Sequence, residues 1–115
     1  MGRPVPPPYA ALFGPGARYE GDFAFEGRVR IDGHFVGRIY SEEELEIGPD
    51  GLVEGDLDVA RAVISGTVRG SLRAREQLTL RAGARISGKL DVGLLLIEPG
   101  ARVEGTVLIH GAEIP

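Results

Sequence analysis

At 115 residues, 43% hydrophobic and 26% charged, the chain has room for one domain and no second core. It contains no cysteine, which excludes disulfides and thiolate metal sites and removes any need for an oxidising compartment. A net charge of -4 argues against a general nucleic-acid binder, whose affinity begins with neutralising phosphates.

The leader, MGRPVPPPYAALFG, holds four of the eight prolines. Proline lacks the N–H that a strand ladder needs, so residues 1–14 are expected to be a flexible tail outside the fold. Tyr9, Leu12 and Phe13 are its large apolar groups, and their expected role is shallow insertion into a membrane surface. The competing expectation is a leader that folds back over the first coil. The leader lacks the charged start and long apolar run of a secretory signal, and no apolar run approaches transmembrane length. The expected location is the cytoplasm.

From Gly16 onward one pattern returns six times: GARYEGDFAF, GHFVGRIYS (Gly33), GLVEGDLDV (Gly51), GTVRGSLRA (Gly66), GARISGKLDV (Gly83) and GARVEGTVLI (Gly100). The central glycines are Gly21, Gly37, Gly55, Gly70, Gly88 and Gly105, spaced by 16, 18, 15, 18 and 17 residues. Around each, apolar and polar residues alternate, as in Val53, Leu57 and Val59, which is the period of a strand with one buried face. A second alternating piece precedes each glycine pair after the first: Val29 and Ile31, Leu45 and Ile47, Ala62 and Ile64, Leu78 and Leu80, Leu95 and Ile97. With 18 glycines and 8 prolines, no stretch sustains helical spacing at helix length.

Strands recurring this closely leave no room for helical crossovers, so each turn must pair with the turn beneath it. The expected fold is all-β: a single right-handed parallel β-helix of about six coils over residues 15–111, followed by a short tail, 112–115. Right-handed crossover is the usual hand for parallel strands. The central glycine is expected at an inward position, relieving crowding in a narrow core. Stacking predicts two outward columns: Asp22, Arg38, Asp56, Ser71, Lys89, Thr106 and Ala24, Tyr40, Asp58, Arg73, Asp91, Leu108, in which charges alternate in sign.

The first coil is aromatic, with Tyr19, Phe23 and Phe25 in the inward register and Phe35 following in the second. The third carries a GPDG turn after an acidic run. Residues 41–58 hold eight acids and no base, whereas residues 61–89 hold seven bases against Glu76 alone. Neighbouring coils compensate one another in the plain reading; lateral pairing of rods through opposite belts is the sharper one. In the last coils the outward positions Leu94, Leu96 and Leu108 also become apolar.

Terminal coils of a solenoid expose unpaired backbone and core edges, which soluble repeat proteins cover with caps. Neither end of this sequence offers one. The expected solution is burial against other copies, through Tyr19, Phe23 and Phe25 at one end and Val103, Val107, Leu108 and Ile109 at the other. Like ends meeting give a polymer without direction; unlike ends give a polar one.

The repeated Val-x-Gly-x-Leu element, as in VEGDL, VRGSL and VEGTV, resembles that of the bactofilins, bacterial cytoskeletal proteins built on a compact β-helix. The resemblance covers about Gly16 to Gly111. It implies triangular coils and nucleotide-independent assembly, head to head and tail to tail, into nonpolar filaments. It also implies attachment to the inner face of the cell membrane through the N-terminal tail and a scaffold role toward client proteins of shape or envelope. A basic residue near an apolar pair, the family's membrane motif, is not plain in the leader.

The rival is a left-handed hexapeptide-repeat enzyme, such as a trimeric acyltransferase or a carbonic anhydrase. That architecture requires coils of 18 in strict thirds, which spacings of 15, 16 and 17 break. With only His34 and His110, one chain cannot form a three-histidine zinc site. Neither has an obvious orienting partner in the sequence, so surface or corner histidines are expected. SGKL, Ser87 to Leu90, lacks the ending of a phosphate-binding loop and sits inside a repeat. The acids Glu42 to Glu46 are expected to form a solvated edge. No catalytic residue, metal site or cofactor is assigned.

Overall fold

The structure, a computed structural model, describes residues 11–110. Tyr9 and the tail assigned to 112–115 lie outside them. The ten strands are β1 (Ala11–Phe13), β2 (Arg18–Phe25), β3 (Val29–Ile31), β4 (His34–Ser41), β5 (Glu44–Ile47), β6 (Leu52–Ile64), β7 (Thr67–Leu80), β8 (Arg85–Val92), β9 (Leu95–Ile97) and β10 (Arg102–Ile109). Every pairing is parallel, and no helix occurs among the described residues. One ladder runs β2-β4-β6-β7-β8-β10 and a second β1-β3-β5-β6-β7-β9. Strands β6 and β7 serve both because they continue around a corner without a break. This is the six-coil β-solenoid expected from the repeat.

The core consists of columns of equivalent residues, one from each coil. Tyr19, Phe35, Val53, Val68, Ile86 and Val103 form one; Phe23, Ile39, Leu57, Leu72, Leu90 and Val107 another. A third, in the second ladder, is Phe13, Ile31, Ile47, Ile64, Leu80 and Ile97. Interior members of all three are buried. Each Leu, Ile or Val so buried contributes roughly 1.5–3 kcal/mol.

The uneven spacing is absorbed entirely at corners. Between Val59 and Ala62, and between Val92 and Leu95, two residues intervene; three intervene between Phe25 and Val29, Ser41 and Leu45, and Ala74 and Leu78. The return corner takes two residues after Ile31 and Ile64 but four after Ile47, Leu80 and Ile97. A spacing of 15 arises where both corners are short, at Ala60 and at Ser65–Gly66. Corners tolerate such changes in length, whereas a slip in a strand would turn its apolar set outward.

The central glycines do not occupy the core positions expected of them. They stack one on another, φ lies between 127° and 138° at all six, and Gly21, Gly70, Gly88 and Gly105 are solvent-exposed. A Cβ built on Gly55 would collide with the carbonyl oxygen of Gly37 beneath it. Glycine is required because the chain bends at a φ that other residues avoid and because two backbones meet there.

The leader also differs from expectation. The tail boundary placed after residue 14 moves to before Ala11, because Ala11–Phe13 pairs with Val29–Ile31 as the first rung of the second ladder. The prolines that would bar this all precede residue 9, and Phe13 has the inward register of Ile31. Phe13 is only 9% exposed, so its assignment to a membrane-inserting tail is corrected. Leu12, in the outward register, is 62% exposed.

Two predictions follow from the corner and the first rung. Gly55→Ala is expected to lower unfolding free energy in urea by more than about 3 kcal/mol, the upper range for one strained residue. Gly83→Ala, with nothing nearer than 3.9 Å, should cost only about 1–2 kcal/mol. Phe13→Ala should cost about 3 kcal/mol and Leu12→Ala less than about 0.5 kcal/mol; equal small losses would place both outside the fold.

Candidate functional site

The end faces are where the stacking rule runs out. Among the described residues, strands β1 and β2 pair only with β3 and β4, and β9 and β10 only with β7 and β8. Each terminal coil therefore presents one unpaired backbone edge.

At the N-terminal face the side chains are aromatic and partly self-covered. The ring of Phe13 meets those of Tyr19, Phe23, Phe25 and Phe35 edge-on, with centroids 4.7, 5.7, 5.8 and 5.6 Å away. Phe23 and Phe25 stack in parallel at 5.7 Å. Such contacts add roughly 0.5–1.5 kcal/mol per pair to area burial. Tyr19, Phe23 and Phe25 remain half-buried. The end expected to be bare is thus partly closed by Phe13.

The C-terminal face is aliphatic and open. Val107 stacks on Leu90, Ile109 on Val92 and Ile97 on Leu80, each partner fully buried, yet the three are 37%, 55% and 53% exposed. Their exposure has one cause: no further coil follows in the described residues. Leu95 and Val103 are half-buried beside them. Leu108 instead stands in the outward column on Asp91 and, like Leu94 and Leu96, is exposed. The sequence reading left Ile97 out of this face, although its position over Leu80 was available from the alternation.

The flanks carry cross-coil charge pairs, though not those expected. Both outward columns are in register, but Asp58 pairs with Nε of Arg75 at 3.4 Å and not with Arg73. Arg75 also donates to the Ser41 carbonyl at 2.6 Å, reaches Glu42 at 3.2 Å and lies 5.3 Å from the Tyr40 ring centroid. The Tyr40 hydroxyl donates to Glu42, which holds the Tyr40 pKa above and the Glu42 pKa below their ordinary values.

The acids Glu42 to Glu46 are bridged rather than a free solvated edge. Glu43 accepts from the Gly27 amide at 2.9 Å, Glu44 lies 3.7 Å from Arg28, and Glu46 accepts from Arg30 at 2.8 Å. The two histidines likewise have carboxylate partners that the sequence did not reveal: His34 with Glu54, and His110 with Asp91, each at 2.6 Å. The His34 contact depresses the Glu54 pKa. One pair bridges the second and third coils and the other the fifth and sixth, and no cluster of three metal-ligating side chains exists among the described residues.

The comparisons agree with this geometry. The family described as "Bactofilin: Polymer-forming cytoskeletal" matches residues 11–108, starting at the same rung as the fold. Bactofilin BacO of Myxococcus xanthus is 28% identical over 88 residues, covering 76% of this chain and 70% of BacO. BacP of the same organism is 27% identical over 96 residues, covering 84% of this chain but 40% of BacP. A crystal structure of a mutant bactofilin from Thermus thermophilus superposes with a TM-score of 0.72 at 37% identity, over 76% of this chain and 98% of that one. The solid-state NMR structure of the cytoskeletal bactofilin BacA gives 0.79 at 28% identity, over 86% and 95%. Six registered coils, the corner glycines and a family match over nearly all the described residues lead to one conclusion: the chain belongs to the bactofilins, a family of polymer-forming cytoskeletal proteins.

Proposed function

We propose that this bactofilin polymerises end to end, without nucleotide, into nonpolar filaments that act as a scaffold for cell-shape or envelope proteins at the inner face of the cell membrane. The observation that carries the reading is the open C-terminal face. Ile97, Val107 and Ile109 belong to columns that are buried in the interior coils, and a second copy is the nearest available cover. Burying the three completely would contribute several kcal/mol, at roughly 1.5–3 kcal/mol for a full side chain. The two faces differ in chemistry, aromatic against aliphatic, which favours like meeting like through isologous contacts.

Membrane association rests on the leader. No helix among the described residues is long and apolar enough to cross a membrane. With Phe13 withdrawn into the core, Leu12 and Tyr9 remain as the groups for shallow insertion.

Val107→Arg and Ile109→Arg should each place an unpaired charge at the junction and abolish filaments in electron micrographs while leaving the coils folded. Analytical ultracentrifugation should then show dimers joined through the aromatic face; monomers would indicate unlike ends, and persistent filaments from both variants would sink the C-terminal contact. Removing residues 1–10, which takes away Tyr9 and leaves Leu12 and the Phe13 rung in place, should preserve filaments and diminish co-sedimentation with liposomes. Undiminished co-sedimentation would remove the tether.

A further inference from the structure

The ion pairs leave the two halves of the rod unequally compensated. In the second and third coils, Glu42, Glu44, Glu46, Glu54 and Asp58 have basic partners. In the last two coils, Arg85 and Arg102 enter no ion pair among the described residues. They are also direct neighbours. Arg102 stands over Arg85 in the parallel ladder, and Arg85 over Thr67. In the adjoining outward column Glu104 stands over Ser87, and Ser87 over Arg69.

Like charges one strand spacing apart, about 4.8 Å, destabilise a sheet. The only acid beside them, Glu104, is not within ion-pair distance of either, and Arg69 has only a 3.8 Å contact with Glu54. The six side chains line one groove of about 310 Å³ on the flank of the rod. That volume suits a small ligand rather than a duplex or a protein segment. A single dianion answers both stacked guanidinium groups at once, and guanidinium forks match phosphate oxygens in bidentate geometry.

We infer that this groove binds a phosphate group, gripped between Arg85 and Arg102, with Arg69 on the third side and the Thr67 and Ser87 hydroxyls as further donors. Glu104 opposes the anion and limits its affinity. The groove opens on the flank and reaches the last coil through Arg102 and Glu104, but Ile97, Val107 and Ile109 of the end face do not line it, so the inference does not depend on end-to-end assembly. The same chemistry is offered by free phosphate and by an anionic lipid headgroup.

The test uses the full chain at constant ionic strength. Inorganic phosphate should raise its thermal midpoint, or vesicles of phosphatidylglycerol should sediment it better than phosphatidylcholine vesicles do. Response to phosphate alone assigns the free ion, and response to vesicles alone the headgroup. In either arm Arg85→Ala with Arg102→Ala should weaken binding at least about tenfold, and Glu104→Gln should strengthen it. Without ligand the double variant should be no less stable than the native chain, because a repulsion has been removed; if it is less stable, Arg102→Gln alone, on the last coil, must show the same loss of binding. No response of the native chain to either probe, or an equal response of the variants, overturns the site.

Discussion

The rod depends on a contact too close for any side chain. At each central corner, the carbonyl oxygen of one glycine occupies the place where a Cβ on the next glycine up would project. Because two backbones must meet there, the corner glycines stack in strict order from Gly21 to Gly105. Everything else inherits that register. The residues two before and two and four after each glycine, apolar or aromatic at all but Ser41, become continuous columns, and variation in coil length is confined to the other corners. The core is narrow, but each inward residue is covered above and below, so stability comes from neighbouring coils rather than from a central mass.

The same arrangement explains why the ends differ from the interior. A column has no intrinsic stop, and its last member differs from the others only in lacking a neighbour. At the N-terminal face the chain supplies a partial stop, the Phe13 ring set edge-on against four other rings. At the C-terminal face no described residue does so, and Ile97, Val107 and Ile109 remain in water. Apolar side chains and an unpaired strand edge coincide there, the combination that soluble sheet proteins ordinarily avoid. The family to which the chain belongs is described as polymer-forming.

On the flanks, stacking brings charges from different coils within reach of one another. Arg75 gathers Tyr40, Ser41, Glu42 and Asp58 from the two coils below it, and Arg30 reaches Glu46. Exposed pairs of this kind contribute little individually, about 0–1 kcal/mol. Their effect is on distribution: they occupy carboxylates of the acidic run and leave Arg85 and Arg102 uncompensated, although the chain as a whole is negative.

The fold was largely legible in the amino-acid order because a solenoid is nearly one-dimensional. Period-two alternation and six glycines at spacings too short for a helix determined strands, coil count and register without knowledge of distant contacts. What lay beyond the sequence depended on proximity between coils. The corner role of the glycines is visible only in φ and in the carbonyl beneath, since alternation alone assigns them inward. Phe13 was hidden by the prolines before it, although it stands 18 residues ahead of Ile31, a spacing found elsewhere in the repeat. The partners of Arg75, His34 and His110 depend on where a long or flexible side chain turns, which a register does not specify. Amino-acid order was enough to specify the stack, whereas folding in three dimensions set which residues bend it, which close it and which charges remain unanswered, because those are properties of atoms from different coils meeting in space.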